Sequence, residues 1–196
     1  MKTHLGQWIE DNAGLFRYAS DVKVMKESAN KILLSGGVSA MMAGVYRTLY
    51  PQAEIDTVDI RDDYLSDAKS ECHDAIVINE PFNGYYSKDT YDIVLSLLAI
   101  NTLDTRELTP YLYNIHDSLK VGGCLYLSFP DAVAPTAMEK NLYPAWYSMD
   151  EEIYMKYYMA DDVVRALSII GFDIKAIEAD KNPELDHVVS VIAVKK

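Results

Sequence analysis

The sequence predicts an α/β fold: a three-layer sandwich with helices on both faces of a seven-stranded, mostly parallel sheet that ends in an antiparallel C-terminal hairpin. Apolar runs alternate with segments of helical spacing along the 196-residue chain, which implies right-handed crossovers between parallel strands. Residues 179–187, with Pro183, are too short for a crossover helix, so the last two strands are expected to pair antiparallel. A composition of 49% hydrophobic and 24% charged residues is typical of a globular protein.

The first part of the chain is predicted to contain four strands and two helices. The first strand ends in Gly36-Gly37, and the helix after it carries apolar residues at helical spacing until Pro51 ends it. A short acidic helix is predicted over residues 62–71. The fourth strand includes an apolar run that we expect to be buried on both faces. The predicted strands are residues 32–35, 55–60, 75–79 and 91–98.

The next helix is predicted to begin at Thr109. A Thr cap followed by Pro110 at the first helical position suits the missing N–H of proline, whereas a start at Asp104 would place that proline inside the helix. Gly122-Gly123 is expected to end the helix.

A final helix and three strands complete the predicted fold. Asp161 is expected to open the helix, which runs through Ile170 and is closed by Gly171. The predicted strands are residues 124–129, 173–178 and 188–194.

Composition and motifs exclude several classes of function. The 18 Lys and Arg residues against 30 Asp and Glu give a net charge of −12, which disfavours nucleic acid as a partner. The longest nearly apolar stretch, residues 93–100, is far shorter than the roughly 20 residues that cross a bilayer. With no signal-peptide pattern and only two cysteines, Cys72 and Cys124, the sequence predicts a cytoplasmic protein with reduced thiols. No G-x-S-x-G, H-E-x-x-H, C-x-x-C or G-x-x-x-x-G-K motif occurs, and we predict no metal site.

Two features predict where a ligand binds. In an open parallel sheet, ligands bind beyond the carboxyl ends of the strands. Gly36-Gly37 lets the backbone approach a ligand closely, and Asp59 lies 23 residues after Gly36, at the end of the second strand. A carboxylate there can accept two hydrogen bonds from a ribose diol, so the pair suits a nucleoside cofactor. The alternative is a tight turn and an exposed Asp.

Four segments together resemble one family. Residues 58–68 are similar to the second-strand motif of the class I, S-adenosylmethionine-dependent methyltransferases, and residues 91–96 are similar to the fourth strand of that family. Residues 118–127 are similar to its motif of helix, glycine turn and fifth strand, and residues 166–172 to the stretch that enters strand six. The resemblance covers roughly residues 30 to 195 and implies that S-adenosylmethionine is the cofactor.

The first motif of that family departs from its usual pattern here. An acidic residue and three glycines are usual, whereas this chain has Leu34, Gly36, Val38 and Ala40 at those positions. The resemblance implies that Gly36 faces the methionine end of the cofactor, with Gly37 beside it. A side chain at Val38 is expected to lie where the cofactor contacts the backbone, and to narrow or re-aim the pocket.

The resemblance also implies contacts for the rest of the cofactor. Asp59 corresponds to the ribose ligand, and Ile60 flanks the adenine. Asn79 or Glu80, after the third strand, is where the family often contacts the adenine amine. The turn that begins at Leu97 is expected to face the methyl group.

The substrate is expected to lie between this turn and an aromatic segment. Asn101 and Thr102 are the polar members of the turn, and they either contact a substrate or only shape the turn. Residues 141–159 are rich in rings, which form either a binding wall or a face packed on the sheet. The residues predicted to line the substrate site in this segment are Tyr143, Trp146, Tyr147 and Tyr154.

The sequence therefore predicts one methyltransferase-like domain over residues 1–196 that acts on a small molecule. Residues 1–30 would be a helical cap, 31–130 the cofactor-binding half, and 131–196 the substrate side with the hairpin. One alternative is a catalytically silent binding or assembly module, which the lost glycines favour. A nicotinamide-dependent oxidoreductase is another, and the terminal hairpin counts against it. A homo-oligomer is left open.

Overall fold

The computed structural model describes residues 22–132, 156–182 and 186–196. Its sheet has seven strands: β1 Lys31–Ser35, β2 Glu54–Asp59, β3 Ile76–Asn79, β4 Tyr91–Leu97, β5 Leu119–Pro130, β6 Phe172–Asn182 and β7 Asp186–Lys195. The strand order is β3-β2-β1-β4-β5-β7-β6. Only β7 runs antiparallel to its neighbours, β5 and β6, which confirms the predicted mostly parallel sheet with a C-terminal hairpin.

Helices cover both faces of this sheet, as predicted. The described helices are α1 Val22–Met25, α2 Gly37–Ala40, α3 Ala43–Leu49, α4 Asp62–Glu71, α5 Thr105–Ser118 and α6 Ala160–Ile170, with a 3-10 helix at Ile100–Thr102. Apolar residues of α1 to α4 pack with one face of the sheet, and those of α5 and α6 with the other. Every residue of β4 is buried, which confirms the expectation that this strand is covered on both faces.

The predicted start of α5 at Thr109 is wrong, because Asp104 caps the helix instead. The Asp104 carboxylate accepts from the Arg106 N–H at 3.0 Å, and the Glu107 carboxylate accepts from the Asp104 N–H at 2.7 Å. This reciprocal capping box satisfies the N–H groups of Arg106 and Asp104 at the start of the helix. Pro110 therefore lies inside the helix, with its side chain on the exposed face, where solvent reaches the backbone.

The expected end of this helix at Gly122-Gly123 is also wrong. The helix ends at Ser118, because Leu119 already pairs with Tyr91 and buries its side chain in the core. The register then shifts before β5 resumes pairing with β4. Gly122, at a φ of 74°, lies in this irregular part of the strand.

The last elements are longer than predicted. The hairpin pairs from Phe172 opposite Lys195 to Asn182 opposite Asp186, with one register shift between Ile174 and Ala176, so it takes up most of the segment predicted as a turn. Helix α6 ends at Gly171 as predicted, with a φ of 122°. Its N-cap is Met159, so Asp161 lies in the first turn and is not the cap.

The connection from β3 to β4, residues 80–90, contains no helix. This loop carries Phe82 to within 3.9 Å of the point where a side chain on Gly36 would begin. Within the described ranges, no helix is long and apolar enough to cross a bilayer.

Candidate functional site

The first turn lies where the carboxyl ends of β1, β2 and β4 meet. Gly36 follows β1 directly, has a φ of 87° and donates its N–H to the Val58 carbonyl at 3.0 Å. A Cβ on Gly36 would lie 2.9 Å from the Cβ of Ala99, in the turn after β4. Both the backbone conformation and this close approach require glycine here.

Ser39 joins this turn to β4. Its buried hydroxyl donates to the Ser35 carbonyl at 2.7 Å and accepts from the Leu97 N–H at 2.8 Å. The sequence did not predict this role, although the hydroxyl of a serine four residues after a strand-end carbonyl can donate to that carbonyl. Ser39 therefore fixes the ends of β1 and β4 relative to each other.

Tyr111 of α5 forms hydrogen bonds with both of these strands, β1 and β4. Its hydroxyl lies 2.9 Å from the Ser35 hydroxyl and donates to the Ser96 hydroxyl at 2.8 Å. Burial raises the pKa of Tyr111 to about 12, so the group stays neutral and holds its hydrogen bonds. This residue was also missed, because the contact joins positions far apart in the sequence.

Val38 packs its partly buried side chain against the core on the α1–α4 face. Ala40, two residues later, is fully buried in the same core. The structure therefore gives both replaced glycine positions a packing role. The expected contact of Val38 with a cofactor stays a prediction.

Asp59 ends β2 as a buried carboxylate, only 5% exposed. Its Oδ1 accepts from the Arg61 N–H at 2.9 Å. Burial raises the pKa of Asp59 above its ordinary value, and the backbone amides of Arg61 and Ile60 partly oppose this shift. A carboxylate that loses hydration on folding favours new hydrogen-bond donors, and a diol supplies two.

The residues next to Asp59 form an open rim. Ile60 is 60% exposed, which is high for a large apolar side chain directly after a buried strand. Asn79 is paired in register with Asp59 and donates its amide to Asp62 at 2.6 Å. Asn79 and Glu80 are both exposed. The structure therefore places these predicted cofactor residues along the carboxyl ends of β2 and β3.

The turn after β4 is tightly constrained. Leu97 is fully buried, and Leu98 has a φ of 48°, a conformation that is unfavourable for a leucine. The Leu98 N–H donates to the Ser128 carbonyl at 2.9 Å, which holds the turn against β5. Strained backbone of this kind concentrates at functional sites. Periodicity in the sequence does not reveal it.

Asn101 and Thr102 differ in what their side chains do. The Thr102 hydroxyl donates to the Ala99 carbonyl at 2.8 Å and so stabilises the turn itself. Asn101 is 3% exposed, and its Oδ1 has no hydrogen-bond partner in the part of the chain that the structure describes. An unsatisfied buried amide oxygen costs stability and marks a place for a donor. The backbone carbonyl of Asn101 accepts from the Lys156 N–H at 2.6 Å.

The aromatic segment is described only at its C-terminal end. Tyr143, Trp146, Tyr147 and Tyr154 lie outside the described residues. Tyr157 and Tyr158 are buried, and the Tyr158 hydroxyl donates to the Leu103 carbonyl at 3.1 Å. These two rings therefore pack on the protein, the alternative that the sequence left open.

No ion-binding cluster accompanies the site: over residues 22–132, 156–182 and 186–196, no three His, Cys, Asp or Glu side chains are grouped to hold a metal.

Comparisons with known proteins support the fold. No family model matches the sequence, and a search of curated proteins found no match. Many solved structures match the fold. A 1,6-didemethyltoxoflavin-N1-methyltransferase from Burkholderia thailandensis, solved with S-adenosylhomocysteine, has a TM-score of 0.70 at 14% identity over 97% of this chain and 82% of its own.

Two further structures match similarly. The N-methyltransferase NodS from Bradyrhizobium japonicum, also solved with S-adenosylhomocysteine, has a TM-score of 0.67 at 12% identity over 95% of this chain and 86% of its own. An S-adenosylmethionine-dependent methyltransferase from Mesorhizobium loti has a TM-score of 0.67 at 15% identity over 92% of this chain and 100% of its own. The chain therefore has the fold of the class I, S-adenosylmethionine-dependent methyltransferases.

Proposed function

We propose that this protein binds S-adenosylmethionine and transfers its methyl group to a small-molecule acceptor. The observation that carries the proposal is the glycine turn at Gly36, where a Cβ would lie 2.9 Å from the Cβ of Ala99, beside the buried carboxylate of Asp59. Backbone that only glycine can form and a carboxylate that favours donors meet at one edge of the sheet. This is the edge where ligands bind in open parallel sheets.

The residues present fit the cofactor. The Asp59 carboxylate would accept hydrogen bonds from the two ribose hydroxyls, and the exposed side chain of Ile60 would cover one face of the adenine. Asn79 and Glu80, at the carboxyl end of β3, would contact the adenine amine. The backbone of the turn at Gly36 would face the methionine portion, and the net charge of −12 suits a cationic ligand. When bound, S-adenosylmethionine supplies an electrophilic methyl group on a sulfonium.

The chain's contribution to transfer is positioning and exclusion of water. Transfer from a sulfonium needs an in-line approach and desolvation more than it needs an acid or a metal. Ser39 and Tyr111 hold the turns after β1 and β4 in fixed relation. The unpartnered Oδ1 of Asn101 is suited to accept an N–H or O–H of the acceptor and so to aim its lone pair. Two of the three matched structures described above are named N-methyltransferases, which suits an N–H acceptor.

A catalytically silent module with the same fold is the second candidate, because Val38 and Ala40 replace usual glycines. The core packing of both residues weakens that argument, since neither side chain has to lie in a pocket. An oxidoreductase is disfavoured because α2, the helix that would face a pyrophosphate, is only four residues long.

Calorimetric titration with S-adenosylmethionine, S-adenosylhomocysteine and NAD separates these candidates. We expect binding of the first two ligands and none of NAD. Formation of S-adenosylhomocysteine from S-adenosylmethionine in the presence of a small-molecule extract then separates an enzyme from a silent module. Asp59→Asn should weaken binding, whereas Asp117→Asn, an exposed carboxylate at the end of α5, is the matched control. Binding of NAD alone would contradict the proposal.

A further inference from the structure

Tyr64 of α4 lies directly on Gly37. A Cβ on Gly37 would lie 2.3 Å from Cδ2 and 2.6 Å from Cε2 of the Tyr64 ring. Gly37 follows the positive-φ glycine and does not itself have a positive φ, so its backbone tolerates other residues. The need for glycine at this position therefore comes from the tyrosine ring and not from the turn.

The ring of Tyr64 also contacts Arg61. The guanidinium carbon of Arg61 lies 4.5 Å from the ring centroid, a cation–π distance. Asp63 holds that guanidinium through two hydrogen bonds of 3.1 and 2.8 Å, and the Arg61 side chain holds the pKa of Asp63 below its ordinary value. This bidentate pair fixes the plane of the guanidinium.

A continuous set of contacts thus joins Asp59 and Gly37, two residues predicted to bind the cofactor. The Arg61 N–H binds the Asp59 carboxylate at 2.9 Å, its guanidinium packs on Tyr64, and Tyr64 packs on Gly37. The Gly36 N–H binds the Val58 carbonyl at 3.0 Å and so fixes the backbone beneath them. Tyr64 therefore contacts both the glycine turn and Arg61, whose N–H binds the residue assigned to the ribose.

We propose that Tyr64 is a positioning residue of the cofactor site, and that Gly37 is glycine so that the ring can fit. The ring holds the glycine turn and the Asp59–Arg61 segment at the separation the cofactor needs. It takes the space that a side chain at position 37 would fill, one residue before Val38. This inference rests on the proposed function, because its readout is cofactor affinity.

The test combines four single variants and one double variant in titrations with S-adenosylhomocysteine, each with a thermal unfolding curve taken without ligand. We expect Tyr64→Ala and Gly37→Ala each to weaken binding by about fivefold to tenfold, on the scale measured for residues in direct contact. Tyr64→Phe retains the ring and should restore affinity to within about twofold, on the same scale. Tyr113→Ala, at an exposed tyrosine of α5, is the matched control.

The double variant Gly37→Ala with Tyr64→Ala decides the mechanism. Without the ring, the added methyl group has space, so the double variant should bind no more weakly than Tyr64→Ala alone. Additive losses would show that the contact does not position the turn, and parent-like or tighter binding by Tyr64→Ala would overturn the inference. If the parent protein binds no S-adenosylhomocysteine, the proposed function fails. If the parent binds S-adenosylhomocysteine and Tyr64→Ala binds it equally well, only the inference about Tyr64 fails.

Discussion

Replacing Asp59 with Asn should weaken cofactor binding without weakening the fold. The carboxylate is 5% exposed, and burial raises its pKa, which means that the folded protein without ligand disfavours the charged form. A group whose folded pKa is raised stabilises the fold only below its ordinary pKa, and that contribution is lost as the pH rises through the folded pKa. At pH 7 the charge on Asp59 therefore opposes folding, and a neutral amide removes that opposition.

The expected loss of affinity follows from the hydrogen bonds. An Asn side chain keeps one oxygen to accept from the Arg61 N–H, but it replaces the second carboxylate oxygen with a donor. Hydrogen bonds to charged groups contribute about 1.5–3 kcal/mol each, so S-adenosylhomocysteine should bind about tenfold to 150-fold more weakly. Titration calorimetry measures the affinity, and scanning calorimetry without ligand measures the stability.

Two results would refute this reasoning. Unchanged affinity in Asp59→Asn would show that the carboxylate does not hold the ribose. A lower thermal midpoint together with lost binding would show that Asp59 is a structural residue. Asp117→Asn should change neither quantity, because that carboxylate is exposed.

Three further predictions concern other residues and conditions. Affinity of the parent for S-adenosylhomocysteine should fall as the pH drops through the raised pKa of Asp59 and stay flat above it; equal slopes in parent and Asp59→Asn titrations would contradict this. Val38→Gly should lower the unfolding free energy by about 1–2 kcal/mol without improving affinity, because it removes core packing; tighter binding would show that Val38 obstructs the pocket. Asp104→Ala should cost about 1 kcal/mol in denaturant unfolding, and no loss would mean that the capping box does not start α5.

The order of strands and helices could be predicted because each apolar run reports burial. Residues 93–95 are covered on both faces of the sheet. An uninterrupted apolar run of this kind is enough to predict a buried strand. Pro110 alone does not place the start of α5 correctly, because the capping pair at Asp104 and Glu107 fixes the helix start. That pair was legible in the sequence as Asp followed three residues later by Glu.

The positions of Gly36 and Asp59 in the fold could be predicted because they follow from strand ends. Gly36 and Asp59 lie at the carboxyl ends of adjacent strands, so topology brings them together. Some contacts join residues that are distant in the chain or lie across a turn, and hydrophobic periodicity does not predict them. The contacts of Ser39, Tyr64 and Tyr111 are of this kind. The unsatisfied oxygen of Asn101 likewise depends on packing that only the structure shows.

A crystal structure with S-adenosylhomocysteine is the most direct test of the proposed cofactor site. We expect both ribose hydroxyls to lie within hydrogen-bond distance of the Asp59 carboxylate, with the adenine on Ile60 and the homocysteine portion along Gly36. A ligand bound away from the carboxyl ends of β1 and β2, or a site that stays empty at saturating ligand, would contradict it.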